Sequence, residues 1–482
     1  MKKILSINYL FHILLLANMS FAFSATVTPP SFNYKNGKAH FVDFSEAVYK
    51  IQFDVPNKKS TYQATIKFKS NETGFPIFDV VNAPTKIILD NIQVTATEVT
   101  TPNKESKIRI IEKSISPGNH ELIIEGEIIN DLVKYLQGQV VGAFWFSDLE
   151  DRSYLETYLP ANYEFDQLKV TFQVSIIGSS EIQTVYTNGK ISNSSSKLRQ
   201  QAGTQFFQVE YPSYFTSSSL YFHLTKKNQY EELKSEFRSS NGKTFPIILY
   251  GLRGINEPTM DSVHEILKEL ENDYGPFLHD SLTIYLNQSF GGGMEYSGAT
   301  VTTLSALSHE LTHSYFARGV MPANGNAGWL DESIASWRDK GYQSLENLNG
   351  TSSMASHPVY TRETDRMAYG FGANLMAYFN NKTQSQGGLK SFLKNLIQTK
   401  AHQNYTTESF NEMMDQFFQI SFKKDFQKYA YSSIDIQSPI QGWQKRGNLS
   451  GFHSLKQKST SWTENQSPEQ KRLPRKLWFK IL

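Results

Sequence analysis

The chain has 482 residues, with 48 Lys and Arg against 46 Asp and Glu, and a formal net charge of +2. This near balance gives no reason to expect a nucleic acid or an anionic surface as partner. The chain contains no cysteine, which excludes disulfides and thiolate metal sites. Some 450 residues after a leader, as a rough figure, suffice for two or three domains that are stabilised by core burial.

The first 24 residues have the pattern of a secretory signal peptide. Lys2 and Lys3 precede a mostly apolar stretch from Ile4 to Phe23, and small residues flank a cleavage point after Ser24. The alternative is a membrane anchor, but polar residues interrupt the stretch and leave its apolar runs too short to favour a spanning helix. We therefore expect residues 1–24 to be removed and the protein to be exported, to the periplasm or outside the cell.

Residues 25–230 are rich in alternating, β-prone stretches. Val48–Val55 and Leu168–Val174 are examples, and polar runs such as Asn193–Ser196 have the composition of turns between strands. The pattern predicts an N-terminal domain, residues 25–230, that is an antiparallel all-β structure.

From residue 231 the pattern changes to strands mixed with helices, which predicts a second domain over residues 231–437. A strand is predicted at Leu282–Leu286, directly before a run of glycines. The predicted helices are Pro258–Asn272, Leu304–Phe316, Trp329–Trp337, Phe371–Phe379, Leu389–Thr399, Glu408–Phe418 and Phe422–Tyr429. Residues 438–482 are basic and are expected to form a solvated tail; contact with an anionic membrane or envelope polymer is the alternative.

One motif in the second domain predicts a metal site. His309 and His313 are four residues apart, so on a helix they project from one face and can bind one ion together. Glu310 lies about 100° round the helix from His309, close enough to act on a water without being a ligand. Because a catalytic zinc has three protein ligands and one open position, Glu332, which follows the motif after eighteen intervening residues, is the expected third ligand. The alternative is a coincidental HExxH on a solvated helix.

The motif and its spacing to Glu332, within a segment of the type (Asn/Asp)-Glu-x-x-Ala, resemble the gluzincin metallopeptidases. The branch that it resembles is the membrane alanyl aminopeptidase family, which includes aminopeptidase N and the leukotriene hydrolase. Gly292-Gly293-Met294-Glu295 is similar to the Gly-x-Met-Glu-Asn-x-Gly strand of that family. There the glycine backbone pairs with the substrate and the glutamate holds its free α-amino group. A plain flexible turn is the alternative for the glycines, and the glycyl aminopeptidases share Gly-Gly-x-Glu and HExxH.

A third match is Tyr369, which begins a Tyr-Gly-Phe-Gly-Ala run similar to the family's Tyr-x-x-Gly-Ala. In the family this hydroxyl donates to the oxyanion of the tetrahedral intermediate, a role that suits a phenol in a water-poor cleft. Tyr360 and Tyr378 are alternatives under a looser alignment, and a tyrosine with no catalytic role is another.

An acidic segment of the N-terminal domain is a candidate for a second amine anchor, since in the family a residue of that domain also meets the substrate amine. The candidates are Asp148, Glu150 and Asp151. A solvated acidic turn is the alternative.

The chain departs from the family pattern near the site. Glu295 and His309 are fourteen positions apart, closer than is usual in the family. Tyr296 stands where the strand motif has asparagine, and the family's run His-x-Trp-Phe-Gly-Asn is here His313-Ser314-Tyr315-Phe316-Ala317-Arg318. These changes leave the predicted ligands and base untouched but alter the expected amine pocket.

The resemblance implies a multidomain α+β fold, in which a saddle-shaped β domain precedes a thermolysin-like zinc domain and the helical C-terminal domain is lacking. It implies an aminopeptidase with one zinc ion per chain, a peptide substrate, and Glu310 as the general base for a metal-activated water. After signal cleavage no integral membrane segment and no nucleic-acid partner are expected. The alternatives are an endopeptidase with an open cleft and a non-catalytic binding protein of the same fold.

Overall fold

The computed structural model describes residues 28–99, 107–148, 153–197, 203–287, 292–323, 327–356 and 364–432. The predicted signal peptide, residues 1–24, and the basic tail, residues 438–482, lie outside these ranges. Within the described ranges, none of the helices combines the length and the apolar character needed to cross a membrane.

In the N-terminal unit, residues 28–226, the described regular structure is all strand apart from a short 3₁₀ turn at Leu155–Thr157. Apolar and polar residues alternate along its long strands, so that one face of each strand is buried. The strands are β1 (Phe32–Tyr34), β2 (Gly37–Phe41), β3 (Asp43–Asp54), β4 (Lys59–Ser70), β5 (Phe75–Asp79), β6 (Lys86–Leu89), β7 (Ile92–Val94), β8 (Ala96–Val99), β9 (Ile108–Ile111), β10 (Gly118–Glu127), β11 (Val133–Leu136), β12 (Gln139–Ala143), β13 (Lys169–Ser179), β14 (Gln183–Thr187), β15 (Lys190–Lys197), β16 (Gly203–Glu210) and β17 (Phe222–Lys226).

These strands form three sheets. An eight-stranded sheet has the order β15-β16-β13-β3-β4-β10-β6-β7, a five-stranded sheet the order β1-β2-β5-β9-β8, and a four-stranded sheet the order β11-β12-β17-β14. The pairing is mostly antiparallel, as predicted, but β3 pairs with β13 and β2 with β5 in parallel. The partners in these two pairs are far apart in the chain, so no hairpin fixes their direction.

The turn predicted at Asn193–Ser196 is wrong. These residues lie in β15, where Asn193 pairs with Gln208 of β16. β15 is the edge strand of its sheet, and a polar, serine-rich composition is compatible with an edge that faces solvent. The local composition therefore indicated a turn where pairing with β16 produces a strand.

The C-terminal unit, residues 231–432, combines one five-stranded sheet, in the order β18-β19-β20-β22-β21, with helices and a small two-stranded sheet. Its strands are β18 (Glu231–Arg238), β19 (Thr244–Gly251), β20 (Leu282–Leu286), β21 (Gly293–Tyr296), β22 (Ala299–Thr302), β23 (Met321–Pro322) and β24 (Asn404–Tyr405). Its α-helices are α1 (Glu257–Tyr274), α2 (Leu307–Phe316), α3 (Gly328–Asp339), α4 (Ala373–Lys382), α5 (Gly388–Lys400), α6 (Thr407–Phe418) and α7 (Lys423–Tyr429).

Each predicted helix of this unit is present, and two of them differ from prediction at their first turn. Residues Leu304–Ala306 form a 3₁₀ turn before α2, and a π-helix, Ala368–Gly372, precedes α4. Such π segments often occur at functional sites.

The central sheet of the C-terminal unit is covered on both faces. Tyr250 and Tyr285 belong to the same hydrophobic core as the N-terminal strands, whereas their neighbours Leu249 and Ile284 belong to the core formed by the helices. This alternation follows from the period of two along a strand. α2 packs between β21 and α3, so the helix that carries the HExxH motif lies between the strand of Glu295 and the helix of Glu332.

Candidate active site

α2 and α3 bring three potential ligand atoms together. His309 Nε2 lies 3.2 Å from His313 Nε2 and 3.1 Å from Glu332 Oε2, and His313 Nε2 lies 3.5 Å from the same oxygen. Zinc bonds of about 2.0–2.1 Å at tetrahedral angles would place neighbouring ligand atoms about 3.3–3.4 Å apart. The spacing of these three atoms therefore fits one tetrahedral zinc ion.

Two further carboxylates lie beside the imidazoles, Asp339 at hydrogen-bond distance from His309 and Asp331 at ion-pair distance from His313. His309 Nδ1 lies 2.6 Å from Asp339 Oδ2, and His313 Nδ1 lies 3.5 Å from Asp331 Oδ2. A metal-bound histidine commonly has a carboxylate at its other ring nitrogen, which fixes the ring and increases its basicity. Neither aspartate was predicted, although Asp331 adjoins Glu332 and Asp339 follows it by two helical turns.

The charges at the site favour a cation between the histidines and Glu332. Burial opposes the charge of His309, but its contacts with Asp339 and Glu332 outweigh this and raise its pKa to about 10. Burial likewise opposes the charge of Glu332, but His313 and His309 hold its pKa well below the usual range. Because a metal ion competes with protons for such atoms, the same field would stabilise a bound cation.

Glu310 is buried beside these atoms and faces strand β21. Burial raises the pKa of Glu310 to about 8, against the lowering effects of His309 and His313. A Cβ atom at Gly293 would lie 2.3 Å from Cδ and 2.4 Å from Oε1 of Glu310, so the glycine backbone runs directly against this carboxyl group. A side chain at position 293 would displace it.

Tyr369 lies in the π-helix and reaches the ligand group. Its hydroxyl donates to Glu332 Oε1 at 2.6 Å, and its ring lies nearly parallel to that of His309, at 18° and a centroid distance of 6.3 Å. The alternative Tyr378 donates instead to Asp425, at 3.1 Å, and Tyr360 lies outside the described residues. Tyr369 is thus beside the predicted ligand group, while its oxyanion role stays a prediction.

Glu295, on β21, has a partner that the sequence did not predict. Its Oε1 accepts from Arg318 Nη2 at 3.0 Å, and the two side chains are 4% and 0% exposed. Arg318 Nη1 also donates to Ser218 Oγ at 2.6 Å. Glu295 further forms a buried group with His313 and Asp331 whose ligand atoms lie within 4.8 Å of one another. The predicted amine anchor therefore adjoins a predicted metal ligand and is paired with a guanidinium group.

Comparisons with known proteins identify the fold but not a close relative. No family model matches the chain, and no curated protein matches it in sequence. Among solved structures, an M1 zinc metallopeptidase from Deinococcus radiodurans is 15% identical at a TM-score of 0.57, over 80% of this chain and 91% of that one. The chain has the fold of the M1 zinc metallopeptidases.

Two longer proteins share this M1 fold. Legionella pneumophila aminopeptidase A is 11% identical at a TM-score of 0.59, over 84% of this chain and 51% of its own. Yeast LTA4 hydrolase is 14% identical at a TM-score of 0.56, and the match covers 84% of this chain and 70% of the hydrolase chain. A two-domain M1 zinc metallopeptidase, 15% identical at a TM-score of 0.56, is instead covered over 91% of its length.

The remaining predicted residues are Gly292, Met294 and the acidic segment of the N-terminal unit. Gly292 immediately precedes β21, and Met294 is buried within it. Asp148 is buried, so the alternative of a solvated acidic turn is wrong at this residue. Its backbone oxygen accepts from the backbone N–H of Thr364 at 3.2 Å. Glu150 and Asp151 lie outside the described residues. A second amine anchor in this segment stays a prediction.

Proposed function

We propose that the protein is an exported zinc aminopeptidase that removes N-terminal residues from peptides. The observation that carries the proposal is the group formed by His309, His313 and Glu332, with Glu310 and Glu295 beside it. The M1 fold supports it, because an M1 zinc metallopeptidase mutant with this fold, 14% identical at a TM-score of 0.59, is bound to a Tyr-Ser-Ala substrate. Export to the periplasm or outside the cell rests on the predicted signal peptide.

The proposal includes the finer description of the fold. The N-terminal domain, residues 25–230, would be the saddle-shaped domain, and residues 231–437 the thermolysin-like catalytic domain. The described strands before β18, which begins at Glu231, are accompanied by no α-helix, whereas those from β18 onward alternate with α-helices, and this change supports the division.

His309, His313 and Glu332 would hold one zinc ion per chain. When bound, zinc is a Lewis acid that lowers the pKa of water and polarises a carbonyl oxygen. Glu310 would take a proton from the attacking water and return it to the leaving amine. Its carboxyl group is buried beside the three ligand atoms and lies against the backbone of Gly293, within reach of a water and of a scissile amide bound there.

Tyr369 and Glu295 would position the substrate. The Tyr369 hydroxyl is a donor beside the metal group, suited to a carbonyl oxygen that becomes negative. Glu295 would accept from the ammonium of the first residue, which sets cleavage after that residue. A carboxylate accepts several hydrogen bonds at once, so its ion pair with Arg318 is compatible with this contact.

Aminoacyl chromogenic substrates, with and without a chelator, test the proposal. We expect hydrolysis that the chelator abolishes and zinc restores, and a strong preference for free over N-acetylated substrates. Glu295→Ala should lower kcat/KM on free-amine substrates by about two orders of magnitude, because truncating one member of a desolvated charge pair typically costs about 2–5 kcal/mol. N-acetylated substrates should change little, and zinc content should stay normal.

Two outcomes would contradict this function. Equal losses on blocked and free substrates in Glu295→Ala would favour an endopeptidase with an open cleft. Absence of chelator-sensitive hydrolysis on both aminoacyl substrates and internally labelled peptides, by a zinc-loaded protein, would favour a binding protein.

A further inference from the structure

Arg318 is completely buried at the end of the helix that carries the HExxH motif. It lies two residues beyond α2, and its backbone N–H donates to the carbonyl oxygen of His313 at 2.9 Å. Its side chain is 0% exposed. Arginine is almost never fully buried without a partner, because desolvating its charge is costly. The position therefore requires compensating contacts.

These contacts connect three separate segments. The guanidinium donates from Nη2 to Glu295 Oε1 at 3.0 Å and from Nη1 to Ser218 Oγ at 2.6 Å. Glu295 belongs to β21 of the C-terminal unit, whereas Ser218 lies in a buried loop of the N-terminal unit, Thr216–Ser219. Two donors of one planar group thus join the two units at the predicted amine anchor.

The loop that holds Arg318 is itself fixed. Ser218 Oγ lies 3.1 Å from Thr216 Oγ1, and the carbonyl oxygen of Ser219 accepts from the backbone N–H of Ser297 at 3.2 Å. Ser297 directly follows β21. The loop therefore contacts the same strand region that carries Glu295, and the guanidinium group is held from both sides.

We propose that Arg318 is a positioning residue that determines selectivity for the free amine. This inference rests on the proposed aminopeptidase function. The planar guanidinium fork fixes the orientation of a carboxylate better than a point charge does. By holding Oε1, Arg318 fixes the Glu295 carboxylate relative to His313, and Ser218 supplies this support from the N-terminal unit. Arg318 acts through Glu295 and does not itself contact the substrate, since it has no exposed surface.

Arg318→Gln should lower selectivity rather than chemistry. We expect KM on free-amine substrates to rise about tenfold or more, kcat to change less, and the ratio of kcat/KM between free and N-acetylated substrates to fall by a similar factor, since the lost interaction is one of binding. Binding of a free amino acid, followed by calorimetry, should weaken in parallel, while zinc content stays that of the wild type. Arg318→Lys keeps the charge but lacks the planar fork, so its selectivity ratio should lie between those of the wild type and Arg318→Gln.

Ser218 offers a matched pair of variants. Ser218→Ala removes a hydrogen bond to Arg318 and should reduce the selectivity ratio in the same direction, by a smaller factor. Ser217→Ala is the control, because Ser217 is also buried but its hydroxyl donates to the carbonyl oxygen of Glu164, at 3.3 Å. It should retain the wild-type ratio. Equal effects of the two variants would contradict the contact-specific role.

A double variant decides whether Arg318 acts through Glu295. In a Glu295→Gln background, Arg318→Gln should cause no further fall in the selectivity ratio, because its target has already lost its charge. The double variant should also fold if Arg318→Gln alone does not, since removing both buried charges leaves neither unpaired. Losses that multiply, or a wild-type ratio in Arg318→Gln, would overturn the inference. Failure of the wild type to prefer free-amine substrates would instead overturn the proposed function, before Arg318 is tested.

Discussion

Two sides of the candidate site each contain a buried carboxylate held by cationic or potentially cationic groups. On the metal side, Glu332 faces His309 and His313, and the three residues lie within 24 positions of the chain, on two adjacent helices. On the amine side, Glu295 faces Arg318, which is held by Ser218, 100 positions earlier. The metal side therefore depends on the packing of two helices, whereas the amine side depends on how the two units fit together.

The largest effect should come from removing a ligand on the metal side. Glu332→Ala leaves two protein ligands, which is too few for a stable catalytic zinc site, so zinc and activity should both be lost.

Asp339→Asn keeps all three predicted ligands but weakens the hydrogen bond to His309 Nδ1, and should lower zinc affinity by about 10–100-fold. Zinc content after dialysis against graded chelator measures both, and stoichiometric zinc in Glu332→Ala would show that another residue is the third ligand.

Glu310→Gln should separate metal binding from catalysis. The amide cannot take a proton, so kcat should fall by about 10²–10⁴-fold, while zinc is retained because Glu310 lies beside the ligand group and is not part of it. Kinetics together with metal analysis on the same preparation provides the measurement. Wild-type turnover in this variant would show that the base lies elsewhere.

Gly293→Ala tests the contact between the β21 backbone, which carries Glu295, and the Glu310 carboxyl group. The new Cβ would lie 2.3–2.5 Å from atoms of Glu310, so the carboxyl group or the strand must shift. We expect an activity loss of roughly tenfold or more with unchanged zinc content, since misplacing a catalytic group by about 1 Å can cost up to about a hundredfold. Gly370→Ala is the control, because a Cβ there meets no atom within 4 Å; equal activity of both variants would contradict a fixed Glu310.

The smallest effect on activity is expected from the packing between the two units, where a change should alter stability instead. His223 of β17 is fully buried, its Nδ1 lies 2.9 Å from the hydroxyl of Tyr250 of β19, and burial lowers its pKa to about 3. The unfolded chain binds a proton there at about pH 6.5 and the folded one does not, so this stability is fully present above pH 6.5 and is lost as the pH falls toward 3.

Urea unfolding at pH 7 and pH 5 checks this prediction. The decrease in the free energy of unfolding between these values should be about 2 kcal/mol smaller in His223→Asn, because the contribution of one such group changes by about 1.4 kcal/mol per pH unit below 6.5. The same decrease in variant and wild type would show that His223 does not contribute to the acid sensitivity.

The same contrast explains what could be predicted from the sequence. His309, His313 and Glu310 follow from helical periodicity, which is a local property of the chain. Asp339 is at a helix end, where a carboxylate is usually solvated, so only the observed packing of α3 on α2 shows its contact with His309. The pairing of Arg318 with Glu295 is a tertiary contact, and arginine is ordinarily a surface residue.

The fold divides in the same way. Alternation along β3 and β13 predicted both strands, but their parallel pairing depends on a connection of more than a hundred residues. The serine-rich β15 was missed because its strand structure comes from β16, its neighbour in the sheet, and not from its own composition.

The close contact between Gly372 and Ser333 lies beside the hydrogen bond that joins Tyr369 to Glu332, the predicted third zinc ligand. A Cβ at Gly372 would lie 2.0 Å from Ser333 Oγ. The π-helix and α3 can therefore pack this closely only because residue 372 has no side chain. Ser333 follows Glu332, and Gly372 lies three residues after Tyr369. The separation of the π-helix and α3 at this contact therefore limits the distance between Tyr369 and Glu332, which form a 2.6 Å hydrogen bond. A larger residue at position 372 would move the Tyr369 hydroxyl away from Glu332 without replacing a predicted ligand.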